Sequence, residues 1–365
     1  MGALAHNCGQ ARALVGDGVR VMAVVKADGY GHGAVAAARA FLRGGAALLG
    51  VSTVAEGAEL RAAGILAPIV VLGGHFGGEA ATALELDLAV AVWSASALGE
   101  LIAAGRVTGR VPSVHVKIDS GMTRLGLDVE HVADFAARLR GRGDVVVAGV
   151  FSHLASADTV DSAAVQAQID RFQSAVGVLR AAGVEPGMVH LANSAGVLCE
   201  PRAHHDAARP GIMLYGYPPA PHLAVRAQLR PALQLVTRVM QVRRVPAGRA
   251  VGYGGTFVTS RPSTIAVLPV GYADGYHRLA GNRADVVVRG RRVPVAGRVC
   301  MDHTMIDATD AGAVEVGDRV CLIGAQGGAA VWADELAAWC ETIPYEMVTA
   351  LAKRVSRRYV EDFDV

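Results

Sequence analysis

Side chains able to act as nucleophile, acid or base stand in this chain just beyond apolar runs. Lys26 follows Val21-Met22-Ala23-Val24-Val25 and precedes Asp28-Gly29. A lysine therefore ends a buried strand at the mouth of a glycine-rich turn. Helix-compatible residues, AVAAARAFL, follow from Ala34. A strand-end amine among apolar neighbours is desolvated, which lowers its pKa and suits it to Schiff-base formation. Position alone fits a surface lysine as well. The chain has three lysines, Lys26, Lys117 and Lys353, so the choice of amine is narrow. Lys117 and Asp119 lie in SVHVKID (113–119), ahead of SGMTRLG with Arg124. VVVAGVFSH (145–153) ends on His153, and MVHLANS (188–194) ends on Asn193 and Ser194. Arg209 and Gly211 fall in ARPG, with Ile212 next. Ser194 and the Gly211–Ile212 backbone offer a hydroxyl and N–H groups to a phosphate. Taken singly, Ser194 reads as a capping serine, His153 as a hydrogen-bonded structural histidine and ARPG as a turn.

The elements that must position these groups alternate. Strand-like runs at 21–25, 48–52, 68–74, 87–93, 113–119, 145–153, 188–194 and 208–216 are separated by helical stretches such as STVAEGAELRAAG and HVADFAARLRGRG. Eight such units predict a (β/α)8 barrel of the TIM type, which gathers all eight carboxyl ends at one rim. Periodicity alone also describes an open doubly wound sheet, but no GxGxxG follows the first strand, which argues against a dinucleotide-binding form. The proline cluster in YGYPPAPH (215–222) reads as a linker, and short strands with turns follow from about 232 to 335. The expected architecture is a barrel over 1–222 and a smaller, mostly β domain over 223–365, closed by one helical stretch, ADELAAWCETIPYEMVTALAKRV.

Composition narrows the class. The chain has 365 residues, 52% of them hydrophobic, enough for a sizeable core. A net charge of +2 does not suggest nucleic acid as a partner. Five scattered cysteines without CxxC spacing suggest neither a zinc site nor a disulfide framework and fit a reducing cytoplasm. The N-terminal residues lack the apolar core of a signal peptide, and no apolar run reaches the about 18 residues of a membrane span. Cys300, Asp302 and His303, and the His204-His205-Asp206 run, lack convincing metal-ligand spacing.

Lys-Ala-Asp-Gly-Tyr-Gly-His-Gly (26–33) resembles the pyridoxal-phosphate lysine segment of alanine racemases. The segments around His153, Asn193–Ser194 and Arg209–Gly211 resemble the same family, as do RAVGYGGTF with Tyr253, GYADGY with Tyr272 and VCMD with Met301. The resemblance spans nearly the whole chain. It implies that Lys26 holds pyridoxal 5'-phosphate, that Arg209 hydrogen-bonds the pyridine nitrogen, and that His153 stands behind that arginine. An arginine keeps its proton, so the ring nitrogen stays largely unprotonated and the ring is a weaker electron sink, which disfavours transamination. Tyr30 and Tyr345 match tyrosines around the cofactor and its phosphate. Arg124 and the backbone at Met301 match ligands of the substrate carboxylate, a suitable task for a planar guanidinium. Tyr272 matches a residue of the substrate entryway, and Lys117 a position carbamylated in several members.

Racemisation needs a base on each face of the substrate α-carbon. By resemblance Lys26 serves one face, acting on D-alanine, and Tyr253 of a partner subunit serves the other, acting on L-alanine. Locally, Tyr253 between glycines reads as a turn tyrosine. The resemblance thus implies a cytoplasmic isomerase, a homodimer with shared active sites, that makes D-alanine for peptidoglycan. Three alternatives stay open: a racemase of serine, lysine or broader range, a decarboxylase of similar plan, and a non-catalytic pyridoxal-phosphate-binding protein. Arg209 argues against the decarboxylase, and the presence of a second domain against the carrier.

Two departures stand out. Family members usually have a β-strand before the segment matching Leu4–Asn7, so the resemblance implies either a start upstream or an exposed edge in the second domain. His303 stands where many members carry glutamine.

Overall fold

Val, Ile and Leu runs form strands where burial on both faces rewards them. The computed structural model describes residues 1–160 and 163–361, and the chain divides into two units, Met1–Arg230 and Pro231–Val365. In the first unit β1 (Arg20–Val24), β2 (Leu48–Val51), β3 (Ile69–Val71), β4 (Ala89–Val92), β5 (Ser113–Asp119), β6 (Val146–Phe151), β7 (Val189–His190) and β8 (Ala207–Ala208) pair in parallel in chain order. β8 pairs β1, and β4 pairs β5, so the ring of eight closes. The expected barrel is present. Met22, Leu48, Val70 and Ala207, from strands around the ring, form one buried cluster with Met188, which precedes β7.

Among the described residues, eight right-handed α-helices accompany the strands: α1 (Gly2–Val15), α2 (Ala34–Arg43), α3 (Val54–Ala62), α4 (Ala80–Glu85), α5 (Ala95–Thr108), α6 (Val132–Leu139), α7 (Ala163–Ala181) and α8 (Ser194–Cys199). α3 starts on a capping box, with Thr53 accepting from the Glu56 amide and Glu56 accepting from the Thr53 amide. The tract beyond the barrel packs back on α1. His6 Nε2 donates to Gln228 O at 2.8 Å, and Asn7 bonds the Arg230 backbone at both its amide and its carbonyl.

The last two strands are shorter than their apolar runs. Residues 191–193 leave β7 because Asn193 caps α8, its Oδ1 accepting the Gly196 amide at 3.0 Å. Arg209 still donates its amide to Ala192 O, but Pro210 has no N–H with which to continue the ladder. Ile212–Tyr215 then closes a 3-10 turn that ends at Gly216, with φ at 98°.

The second unit is antiparallel. One sheet joins Leu235–Arg238, Arg319–Gln326, Asp285–Val288 and Arg291–Pro294, with Ala329–Val331 on Arg319–Gln326. A second sheet joins Gln241–Val245, Ser263–Leu268 and Thr304–Asp307. The single closing helix expected from the sequence is two helices, α9 (Ala333–Trp339) and α10 (Pro344–Thr349). Glu341 has φ at 57°, and Pro344 restarts the chain at the first turn of α10. No helix among the described residues is long and apolar enough to cross a membrane.

Candidate active site

Lys26 stands two residues beyond β1, at the start of a left-handed turn. Ala27, Asp28, Gly29 and Tyr30 have φ of 53°, 52°, 59° and 52°. Each non-glycine residue in this conformation costs about 1–2 kcal/mol, so the turn needs external support. Glu56 Oε1 accepts the Ala27 amide at 2.7 Å, while Oε2 accepts the Ser52 amide at 2.6 Å. Asp28 accepts the Ala34 amide at 3.0 Å, which ties the turn to the start of α2. Tyr30 stacks on Tyr215 with 4.7 Å between centroids, and the Tyr215 hydroxyl donates to Val24 O. Glycine at 29 allows close packing, since a Cβ there would lie 3.1 Å from that of Ala37.

The Lys26 amine is held below its ordinary range by burial and by the Arg124 guanidinium, against Glu56, which raises it. Lys117, on β5, is brought down to about 8 by burial and by Arg124, Arg209 and Lys26. Its Nζ lies 5.8 Å from the Trp93 ring and 5.4 Å from Phe151. Arg124 is exposed, on a loop braced by Asp119 Oδ1, which accepts the Gly121 and Met122 amides at 2.8 Å each. Arg171 of α7 adds a bond from Nε to Ser120 O at 2.7 Å. Four cations thus act on one region, and the nearby carboxylate of Asp119 is already engaged by amides.

Arg209 is buried just past β8. Its Nη1 donates to His190 Nδ1 and His190 O, both at 2.9 Å, and its Nη2 donates to Ser152 O at 2.5 Å and Leu191 O at 3.2 Å. His153 Nδ1 lies 3.3 Å from Nη2. Burial, then Arg209 and the other cations, push His153 far down, so its ring is neutral at pH 7. Burial lowers Arg209 itself to about 9. Ser194 Oγ accepts the Gly211 amide at 2.9 Å. A Cβ on Gly211 would lie 2.4 Å from the Tyr30 hydroxyl, so glycine here leaves room beside that oxygen. Ile212 follows, fully buried in the 3-10 turn. Asn193 acts as the cap of α8 and donates to Leu154 O.

Tyr253, Tyr272, Met301 and Tyr345 belong to the second unit. Tyr253 is 71% exposed, on a turn flanked by Gly252 and Gly254 with φ of 70° and 73°. A groove of about 560 Å³ is lined by Tyr253, Cys300, His303, Met240 and Met305, among others. The Tyr272 and Met301 segments meet backbone to backbone. Tyr272 donates its amide to Cys300 O and Ala273 its amide to Met301 O, both at 3.0 Å. A Cβ on Gly271 would lie 2.3 Å from both carbonyl oxygens. Arg354 ties the same two segments through Asp274 at 2.7 Å and Asp302 at 2.8 Å. Tyr345 is half-buried on α10.

Glu56, His190, Arg171 and Arg354 were not singled out in the sequence, because each acts on a residue far away in the chain. His190 did leave a trace, as a polar residue within the apolar run MVHLA. Among the described residues no three His, Cys, Asp or Glu side chains cluster as a metal site.

Residues 1–219 match the model of the alanine racemase N-terminal domain, and residues 232–359 that of the alanine racemase C-terminal domain. The alanine racemase of Symbiobacterium thermophilum is 47% identical over 340 residues, covering 93% of this chain and 90% of that one. The alanine racemase of Frankia casuarinae is 44% identical, over 93% of this chain and 89% of its own. Among solved structures, alanine racemase from Streptomyces coelicolor superposes with a TM-score of 0.94 at 36% identity, covering 99% of this chain and 96% of that one. The Bacillus anthracis enzyme with bound L-Ala-P gives 0.91 at 35%, covering 97% and 91%.

Proposed function

The chain belongs to the alanine racemase family, and from that premise we propose that it interconverts L- and D-alanine with pyridoxal 5'-phosphate and so supplies D-alanine for peptidoglycan. The observation that carries this is the half-buried Lys26, its amine held below its ordinary range, beside the cation-rich end of the barrel. The surroundings suit the cofactor. Gly211 lacks the Cβ that would lie 2.4 Å from the Tyr30 hydroxyl, so that hydroxyl comes close to the Gly211 backbone, whose amide bonds Ser194 Oγ, a set of groups suited to a phosphate. Excess positive charge suits an anionic cofactor and a carboxylate substrate. Lys26, Tyr30, Ser194, Arg209, Gly211 and Ile212 would hold the cofactor, with His153 and Asn193 bracing them and Tyr345 of the C-terminal domain near the phosphate. Arg209 Nε takes no part in the bonds described above, and we assign it to the ring nitrogen.

When bound, pyridoxal phosphate supplies an aldehyde for the substrate amine and a conjugated ring that takes up the electrons left at the α-carbon. The protein moves the proton. The Lys26 amine, held below its ordinary range by burial and Arg124, takes it from D-alanine on one face in its neutral form. Tyr253 of the partner subunit, as phenolate, takes the proton from L-alanine at the opposite face, and in each direction the other group, protonated, returns a proton to the α-carbon. Arg124 and the Met301 backbone hold the carboxylate, and Tyr272 lines the way in. Lys117, with its amine lowered to about 8, has neutral amine available to take up carbon dioxide, and the resulting carbamate would be a negative partner for Arg124. A homodimer follows from this division of labour between a barrel over 1–222 and a β domain over 223–365. Five free thiols fit a cytoplasmic setting.

The test is loss of optical activity from L- and D-alanine with cofactor-loaded protein, with serine and lysine as comparators. Interconversion of both alanine enantiomers, slowed at least about 100-fold by Tyr253→Phe, supports the proposal. Cofactor binding without racemisation refutes it. Equal rates on serine or lysine would widen the substrate range.

A further inference from the structure

The bonds of Arg209 continue beyond the candidate site. Its Nη1 lies 2.9 Å from His190 Nδ1, and His190 Nε2 lies 2.8 Å from His115 Nδ1. An arginine nitrogen only donates, so His190 Nδ1 accepts. A neutral imidazole carries one N–H, so the His190 proton sits on Nε2 and is donated to His115. His115 Nδ1 accepts in turn, and its own proton sits on Nε2. The chain of donors runs one way, from Arg209 through His190 to His115. Both rings are buried, and burial, followed by the Arg209 charge, keeps them neutral; His115 is brought down to about 3.

Two features place the second ring, and a third places the first. The pairing of β5 with β6 shifts register between Val114 and His115, which sets His115 opposite Gly149. Such irregularities re-aim side chains near active sites. A Cβ on Gly149 would lie 2.4 Å from His115 Nδ1, so the ring occupies room that only glycine leaves. Phe151 stacks on His190 at 4.9 Å with 6° between planes, and Arg209 lies 5.1 Å from the same Phe151 ring.

We propose that His115 is a positioning residue for Arg209: by accepting from His190 Nε2 it fixes the tautomer that leaves His190 Nδ1 free to receive the guanidinium. With the opposite tautomer, N–H would face N–H across the same 2.9 Å. Arg209 would then turn from the carbonyls that aim it. The effect on turnover rests on the proposed pairing of Arg209 with the cofactor ring; the donor chain itself does not.

The experiment uses cofactor-loaded protein labelled with 15N-histidine. Long-range 1H–15N spectra report each tautomer, and the His190 signals are assigned by their loss in His190→Gln. The expected result is a single Nε2–H tautomer at His190 in the unmodified protein. His115→Asn, whose Oδ1 accepts from a similar place, keeps that tautomer and stays within about threefold of the original kcat. His115→Leu loses the single tautomer, and kcat falls about tenfold with little change in KM. An Nδ1–H or doubly protonated His190 in the unmodified protein overturns the proposal. So does a His115→Leu protein that keeps both the tautomer and kcat. If His115→Leu does not fold, the other two spectra still decide. The tautomer is read without turnover, so a protein that fails to racemise alanine would refute the proposed function and leave this test standing.

Discussion

The carboxylate of Glu56 accepts the amide of Ala27 at 2.7 Å, joining the first turn of one helix to the strained turn that follows Lys26. The other carboxylate oxygen is engaged by Ser52 and Thr53. One side chain therefore serves as helix cap and as anchor for the reactive amine.

Glu56→Ala is expected to destabilise the protein by about 2 kcal/mol, from lost charge-assisted bonds and a lost cap. It should also weaken cofactor retention by letting the Lys26 turn relax. Glu56→Gln should do less, since one carbonyl oxygen remains to accept. Denaturant unfolding together with the absorbance of bound cofactor checks both. A Glu56→Ala protein as stable and as well loaded as the original would remove the anchor from the account.

Gly211→Ala tests the phosphate cradle. The φ and ψ of Gly211 are −117° and −95°, so alanine carries no left-handed penalty but meets a sparsely allowed ψ as well as the Tyr30 hydroxyl. Cofactor affinity is expected to fall about tenfold, roughly 1.4 kcal/mol, with a smaller change in melting temperature. Titration of cofactor-free protein with pyridoxal phosphate measures it, and unchanged affinity would place the phosphate elsewhere.

Lys117 gives a pH dependence with a definite sign. Its folded pKa is lowered from 10.5 to about 8, so between those values the unfolded chain binds more protons than the folded one. Stability then rises with pH across that window, and the penalty is fully present below about 8. In cofactor-free protein and carbon-dioxide-free buffer, Lys117→Met should stabilise on the order of 2 kcal/mol at pH 7. The gain should shrink as pH climbs from 8 to 10.5. Unfolding curves at pH 7 and pH 10 measure this, and a gain independent of pH would assign it to packing alone.

Arg209→Glu should shift the balance of products. A carboxylic acid at the ring nitrogen would make the cofactor a stronger electron sink. Transamination, read as pyruvate released per racemisation, is expected to rise, while racemisation slows. The variant also leaves the carbonyls of Ser152, His190 and Leu191 without their donor, so its melting temperature should drop. An unchanged ratio of pyruvate to racemised alanine would argue against electronic control by Arg209.

Much of the barrel was legible because buried parallel strands demand continuous apolar runs, and eight such runs alternate with helical ones. Lys26, Ser194 and Arg209 fall at or just beyond strand ends in the sequence, but singly they read as a surface lysine, a capping serine and a turn, and only the resemblance of their segments singled them out. The lengths of β7 and β8 were not legible, since Asn193 and Pro210 end them through a cap and a missing amide. Nor were Glu56 and His115. Each looks ordinary in its own segment, a capping-box glutamate and a histidine in an alternating strand, and acts through a residue distant in sequence. The successive left-handed residues after Lys26 were equally hidden, because Asp28-Gly29 alone predicts no more than a tight turn.

That turn has a bearing on how variation in this segment is interpreted. Ala27, Asp28 and Tyr30 hold positive φ, where β-branched side chains fit worst. A saturation screen scored by growth or turnover would therefore mark positions 27 and 28 as intolerant, beside a lysine that is intolerant for chemical reasons. The two kinds of intolerance separate by substitution type. Glycine and asparagine should be accepted at 27, while valine and isoleucine fail there. At 26 even arginine should fail.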